Sequence, residues 1–431
     1  MPVFTSSIEV TADYPTIKPS LNLNFARSRA LDPRITFTRA SVGTYAGRDG
    51  LIKTAGNDEA RFDHDPETLE SLGLLIEESR TNSLPYSSDI IGQANWATAG
   101  VSAVAATSIT APDGSTDTVG LRDDGSNGQH TLFDDVSVSD ITSTYTASCW
   151  VKAGTRNYAE LFSNGGGAAG TITIGYKYDL VNKTTLYTGT TGFDTGTSAT
   201  ITEYPNGWFR ITLTGDVADA ATGAGTYRWH VRPREDISGN YQGDNTDGIY
   251  IWGPQLELGS FQTSYIPTSG SAVQRAVDYG QITGSSFTNF FNPTEGTYKT
   301  KVRINGYKTA GYPRPFVFAE LSDIANDFWQ LVVNNSGQNF FAETRVNGGT
   351  PSSTSATSRA PNTDFIATSA VKNGEGMTSY YGNTLRTNAG ASLPSTLDSL
   401  VFNHSNYTGT ISELVYYPKA LTDAQLQQLT S

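Results

Sequence analysis

Cysteine is almost missing: Cys149 is the only one in 431 residues. An intrachain disulfide and a cysteine-based zinc site are therefore both excluded. Its neighbours Ser148 and Trp150 follow a strand-like alternation, which predicts an inert buried thiol rather than a nucleophile. Charge is also scarce, at 16% of residues, where roughly 25% is usual. What charge there is leans acidic, with 29 basic residues against 42 acidic ones and a formal net charge of −13. A nucleic-acid binder must displace phosphate counterions with clustered cations, and no Lys/Arg cluster is present, so nucleic acid and anionic membranes are poor partners. No stretch reaches the roughly 18 apolar residues of a membrane helix. Residues 1–10 carry neither a basic start nor an apolar run, so the expectation is synthesis in the cytoplasm without a conventional export signal.

Glycine (43 residues) and aromatics (11%) are abundant instead. Together with many Thr and Ser, they predict an all-β chain with frequent tight turns. Three zones emerge. Residues 1–86 include the alternating Leu21-Asn22-Leu23-Asn24-Phe25 and the apolar run Leu74-Leu75-Ile76. They are too irregular for a large core of their own and read as a docking or attachment segment. Residues 87–278 hold strand patterns at 145–153, 208–213 and 249–258, separated by breaks such as Gly165-Gly166-Gly167. Many short strands between turns predict a β-sandwich. Residues 279–431 repeat the theme at 298–304, 329–333 and 340–346. There 365–372 and 377–381 flank Asn373-Gly374-Glu375-Gly376, a hairpin signal. Thr422-Asp423-Ala424-Gln425 is a capping box, so a short helix is predicted over 422–429, packed on a sandwich edge.

Catalytic patterns are lacking. Glu77 and Glu78 are adjacent and on a strand point to opposite faces, which does not suit the paired carboxylates of a glycosidase. Gly-x-Ser-x-Gly and His-Glu-x-x-His do not occur. His64, His130, His230 and His404 are scattered without ligand spacing. Asp244-Asn245-Thr246-Asp247-Gly248 offers hard oxygens but not the remaining pattern of a calcium hand, and reads as an ordinary turn. Neither a metal nor a cofactor is expected. Sugar binding needs aromatic faces for the C–H bonds of a ring, with polar groups nearby. Tyr307 and Tyr312, on a Gly/Pro-broken connection, and Tyr241, beside the acidic turn, are the glycan-binding candidates. Packing of these tyrosines under their own loops is the competing expectation. Trp150, Trp208, Trp252 and Trp329 lie in strand patterns and read as core.

The blocks Leu31-Asp32-Pro33-Arg34-Ile35-Thr36-Phe37-Thr38-Arg39-Ala40-Ser41 and Ser71-Leu72-Gly73-Leu74-Leu75-Ile76-Glu77-Glu78-Ser79-Arg80-Thr81-Asn82 resemble an N-terminal block of bacteriophage virion proteins. In those proteins the block precedes a carbohydrate-binding-module-like jelly roll. Here that jelly roll would close through Trp252-Gly253-Pro254-Gln255-Leu256-Glu257-Leu258-Gly259 and Arg275-Ala276-Val277-Asp278. The last zone resembles a concanavalin A-like, laminin-G-like sandwich, with the close Gly409-Thr410-Ile411-Ser412-Glu413-Leu414-Val415-Tyr416-Tyr417. The resemblance implies a fibre, appendage or decoration protein located in the virion. It would be held to other virion proteins by its N-terminal segment, trimeric by analogy with fibres, and would contact host-surface polysaccharide. It brings no catalytic residue with it. A purely structural part without glycan binding and a polysaccharide depolymerase are the alternatives.

Overall fold

The structure, a computed structural model, describes residues 15–166, 172–189, 196–217, 223–236, 240–307, 311–334, 338–355, 357–404 and 407–430. Nearly all regular structure is antiparallel strand, and the chain divides into two compact units. A central unit takes Arg39–Ser71 and Glu78–Val277. A terminal unit takes the residues up to Thr38, Leu72–Glu77 and the chain from Asp278 onward.

The central unit is a sandwich of two six-stranded sheets. One runs in the order Ser198–Tyr204, Trp208–Gly215, Tyr145–Ala153, Asp247–Leu258, Val119–Asp123, Val101–Ala105. The other runs Thr184–Tyr187, Thr173–Asp179, Tyr158–Gly166, Gly225–Arg234, Thr131–Val138, Trp96–Ala99. Period-2 alternation sends Tyr145, Ala147, Cys149 and Val151 inward to meet Leu161, Ile174, Trp229 and Val231 from the facing sheet. Cys149 is wholly buried, and burial drives its thiol pKa up, as an inert thiol requires. The opposite face of Tyr145–Ala153 is buried too. Trp150, Trp208, Trp252 and Tyr265 form a second cluster there, closed by Ile52 and Ala111. Trp150 meets Trp252 edge-on at 5.2 Å and carries the Arg210 guanidinium 4.4 Å from its ring.

The terminal unit is a sandwich as well. One sheet orders Thr384–Asn388, Gly376–Tyr381, Phe365–Lys372, Glu295–Ile304, Gly409–Tyr417 and Ser71–Ile76, with Leu21–Asn24 also on Gly409–Tyr417. The other orders Thr36–Thr38, Tyr279–Thr283, Ser399–His404, Arg314–Ala319, Phe328–Asn334, Asn339–Arg345 and Ser352–Ser353. Between them Tyr298 packs on Phe316 at 5.1 Å and Trp329 at 4.9 Å, and Phe318 stacks on Trp329 at 5.3 Å. The hairpin at 373–376 forms as its sequence predicts, with Gly374 and Gly376 both at positive φ. The helix Asp423–Thr430 has its capping box: Gln425 N–H donates to Thr422 Oγ1 (3.4 Å) and Thr422 N–H to Gln425 Oε1 (3.1 Å). It covers a sheet face rather than an edge. Leu421, Leu426 and Leu429 lie on Ala370, Tyr380, Val415 and Tyr417, whose side chains give that face an apolar surface to cover.

Where the sequence suggested an arm, residues 15–86 supply short strands to both units. Each strand is too short to build a core: Gly43–Ala46 pairs locally with Ile52–Ala55, while others pair with partners distant in the chain, as Arg80–Asn82 does with Val273–Arg275. Asn82 shows how tightly. Its Nδ2 donates to Ile266 O (2.9 Å) and Pro254 O (3.3 Å), while its Oδ1 accepts from Leu256 N–H (3.0 Å) and Leu84 N–H (3.2 Å). Replacement by alanine leaves these buried groups without partners, each costing about 1–3 kcal/mol. Asn82→Ala is therefore expected to lower the stability of the central sandwich by several kcal/mol, read as a fall in its urea midpoint; an unchanged midpoint refutes this.

Asp134 makes a second prediction. It faces the core between its cross-strand partners Trp96 and Trp229, and burial, then the charge of Asp135, pushes its pKa up to about 6. The native state therefore holds a proton that the unfolded chain releases near pH 4, so stability falls as pH rises from about 4 to about 6 and stays lower above. Asp134→Asn should remove this fall and stabilise the protein by about 2–3 kcal/mol at pH 7, with no gain below pH 4. Denaturation midpoints across that pH range check it, and parallel profiles for the two proteins would rule it out.

Candidate functional site

The sheet of the central unit that contains Tyr158–Gly166 and Gly225–Arg234 turns Leu161, Ser163, Tyr227, Trp229 and Val231 inward. Alternation then sends Glu160, Phe162 and Asn164 outward, with Arg228, His230, Arg232 and Arg234 on the next strand and Phe133 and Asp135 on Thr131–Val138. The register sets Phe133 opposite His230, His230 opposite Phe162, and Phe162 opposite Gly175. Three aromatic side chains thus form one row across neighbouring strands. His230 lies 5.3 Å from Phe133, tilted 34°, and 5.2 Å from Phe162, edge-on. Gly175 ends the row because a Cβ there would stand 3.0 Å from the Phe162 ring and 2.8 Å from Thr188 Oγ1.

Two guanidiniums flank the row. Arg228 lies 4.9 Å from the Phe133 ring centre and Arg232 4.1 Å from that of Phe162. Arg228 also pairs with Asp135, its Nη2 donating at 2.6 Å. Glu160 is buried between Arg232 (3.5 Å) and Arg234 (3.3 Å) and accepts from Thr188 Oγ1 at 2.7 Å. Burial, with the charges of Arg232 and Arg228, pulls the His230 pKa down to about 3, so its imidazole is neutral at pH 7. Its Nδ1 lies 3.2 Å from Thr131 Oγ1. Phe133, Phe162, Asn164 and Arg228 stay half-buried, whereas His230, Glu160, Arg232 and Arg234 are buried. The face offers π-surfaces with fixed cations and amide groups beside them, and its carboxylates Glu160 and Asp135 are held by arginines. Such a surface is suited to holding a ligand.

The sequence names only His230 among these residues, as a scattered histidine without ligand spacing, yet a signal is there: Arg228, His230, Arg232 and Arg234 recur at every second position, the period of one strand face. The tyrosines that were singled out lie elsewhere. Tyr241 is only 6% exposed. Its hydroxyl donates to Asp123 Oδ1 (2.8 Å), its ring packs on His130 at 4.3 Å, and Arg156 sits 5.0 Å from its centre. At that exposure its ring is buried packing rather than an open platform. Tyr307 is half-buried and donates to Arg359 O at 2.7 Å. Tyr312 is 54% exposed and lines a cleft of the terminal unit. The acidic turn is held by its own hydrogen bonds: Thr246 N–H donates to Asp244 Oδ1 (3.1 Å), Asp244 pairs with Arg156 (3.1 Å) and Asp247 with Arg122 (2.8 Å). Trp150, Trp208, Trp252 and Trp329 are all buried.

No family model and no curated protein sequence matches the chain. Among solved structures, 32% of the chain is similar to the CBM40 of the Ruminococcus gnavus IT-sialidase bound to alpha2,3 sialyllactose, covering 84% of that chain at 12% identity and a TM-score of 0.28. The binding domain of Botulinum Neurotoxin DC in complex with SialylT is similar over 36% of the chain, with 39% of its own chain covered, 12% identity and a TM-score of 0.28. A native heptameric SAP-like pentraxin from Limulus polyphemus is similar over 32% of the chain, covering 70% of its own, at 12% identity and a TM-score of 0.25.

Tyr241→Phe tests the assignment of that tyrosine to packing. Buried Asp123, whose pKa burial already raises, loses a donor. The expected outcome is a loss of about 1–3 kcal/mol in thermal or chemical denaturation. A stable variant with weakened sugar binding would reverse the assignment.

Proposed function

We propose that the chain is a non-enzymatic, glycan-binding structural protein of a bacteriophage particle, a fibre or appendage that presents its β-sandwiches to host-surface polysaccharide. The observation that carries the glycan reading is the row Phe133–His230–Phe162 with Arg228 and Arg232 against its rings. Pyranose rings expose C–H bonds on one face, which aromatic faces complement, and hydroxyls at the rim take hydrogen bonds from fixed donors and acceptors. Arg228, Asp135 and Asn164 surround the row for that purpose. Binding rather than hydrolysis is supported by the carboxylates of this face, each tied to an arginine. The particle reading rests on the sequence blocks around Leu31–Ser41 and Ser71–Asn82, with attachment to other virion proteins through the N-terminal segment. A trimer would multiply weak single-site contacts into useful avidity.

A glycan array probed with the full chain, followed by titration of the best neutral oligosaccharide, tests the site. Phe133→Ala and Phe162→Ala should each weaken binding roughly tenfold, about 1.4 kcal/mol, with the fold intact by circular dichroism. An array without any signal, or full affinity in the double variant, rejects the glycan reading. Antibody labelling of intact particles tests the location: labelled fibres or appendages support it, and unlabelled particles reject it.

A further inference from the structure

The terminal unit has a cleft of about 470 Å³ with a different chemistry. Its floor is the outer face of the sheet through Arg314–Ala319, Phe328–Asn334 and Asn339–Arg345. Phe340, Ala342 and Thr344 turn into the core, which leaves Phe341, Glu343 and Arg345 on the cleft side, opposite Val332, Gln330 and Phe328. Arg314 enters from the next strand, opposite His404. Both guanidiniums converge on one ring: Arg314 lies 5.9 Å and Arg345 5.3 Å from the centre of Phe328. Arg345 is aimed by donation to Ala325 O at 2.7 Å, and Arg314 Nη1 lies 3.1 Å from His404 Nδ1. Burial, then Arg314, pulls the His404 pKa down to about 4, so it adds no charge at pH 7. Among the described residues Glu343 is the one carboxylate lining the cleft, and it accepts from Gln330 Nε2 at 2.8 Å.

The cleft therefore carries two cations against one anion, in a chain whose formal charge is −13. Glu343 faces both guanidiniums and its charge favours both, while Arg345 opposes Arg314, so one anion set against two cations leaves a positive excess that a second anion can meet. A carboxylate matches the planar fork of a guanidinium better than any neutral group does. Tyr312 and the half-buried Phe341 add ring surface at the same opening. The volume lies within the range of small-ligand pockets, about 300–1,000 Å³.

We infer that this cleft is a second, independent binding site, selective for a carboxylate-bearing sugar residue, with Arg314 and Arg345 holding the carboxylate and Tyr312 and Phe341 holding the ring. The aromatic surface is what favours an acidic saccharide over an acidic peptide.

Titration calorimetry with the full chain tests it, using a galacturonate hexamer, the same hexamer methyl-esterified, and hexaglutamate. The acidic hexamer should bind, with affinity falling as salt is raised. Esterification and Arg345→Gln should each cost tenfold or more, and Arg345→Lys less. Tyr312→Ala, at an exposed position, should cost several-fold. The double variant Phe133→Ala/Phe162→Ala, which removes the central-sandwich site, should still bind the acidic hexamer. Equal affinity for the ester, no binding at about 1 mM hexamer, or indifference to both Arg345→Gln and Tyr312→Ala overturns the proposal. Hexaglutamate binding as tightly as the sugar overturns its sugar class. Loss of acidic-hexamer binding in the Phe133/Phe162 variant alone would return all binding to the central sandwich, so failure here and failure there are told apart.

Discussion

The central sandwich depends on a clamp between two chain segments that are far apart in sequence. Asn82 satisfies four backbone groups of 84 and 254–266 with one side chain. Around it, Arg275 Nη2 donates to Glu78 O at 2.6 Å and its Nη1 to Thr263 Oγ1 at 3.0 Å. Glu257 accepts from Thr263 N–H at 2.9 Å and from Gln255 Nε2 at 2.7 Å. Arg61 Nη1 reaches Thr44 O and Ser264 Oγ, each at 2.8 Å. Buried polar groups cost free energy unless they are paired, so a network this dense tolerates few alternative arrangements. It fixes where residues 39–82 lie and so closes the outer tryptophan face with Ile52. With one sheet face covered in this way, the outer face of the other sheet remains as a broad β-surface that carries the half-buried rings of Phe133 and Phe162.

Some of the few charges do structural work beneath the surface, as with Glu160 between two arginines or Arg80 between Glu78 and Leu258 O. Buried ion pairs contribute little net stability against well-packed apolar substitutes, but removing one partner is costly. A surface pair marks the register: Arg228 and Asp135 face each other only when Gly225–Arg234 and Thr131–Val138 pair as observed. A one-residue slip would send His230 into the core and Trp229 into solvent.

How much of this was legible in the sequence follows from the range of each interaction. Local patterns read well. The alternation over Tyr145–Ala153, the Asn-Gly hairpin and the capping box at Thr422 are set by neighbours a few residues apart. Pairings between distant segments did not read, because nothing in Leu21–Asn24 names Gly409–Tyr417 as its partner. The residues 15–86 looked irregular for that reason. The tyrosines were chosen for lying near turns, yet a loop tyrosine with a buried carboxylate in reach becomes core, as Tyr241 did with Asp123. The aromatic row escaped notice because its members come from three strands, one residue from each, and only the sheet register assembles them.

The two candidate surfaces differ in a way that follows from their cations. At the aromatic row, Arg228 is paired with Asp135, and Arg232 and Arg234 are buried with Glu160, so the half-buried rings are the accessible groups. In the terminal cleft, Arg314 and Arg345 are only half-buried and face Glu343, so charge would select and the rings assist.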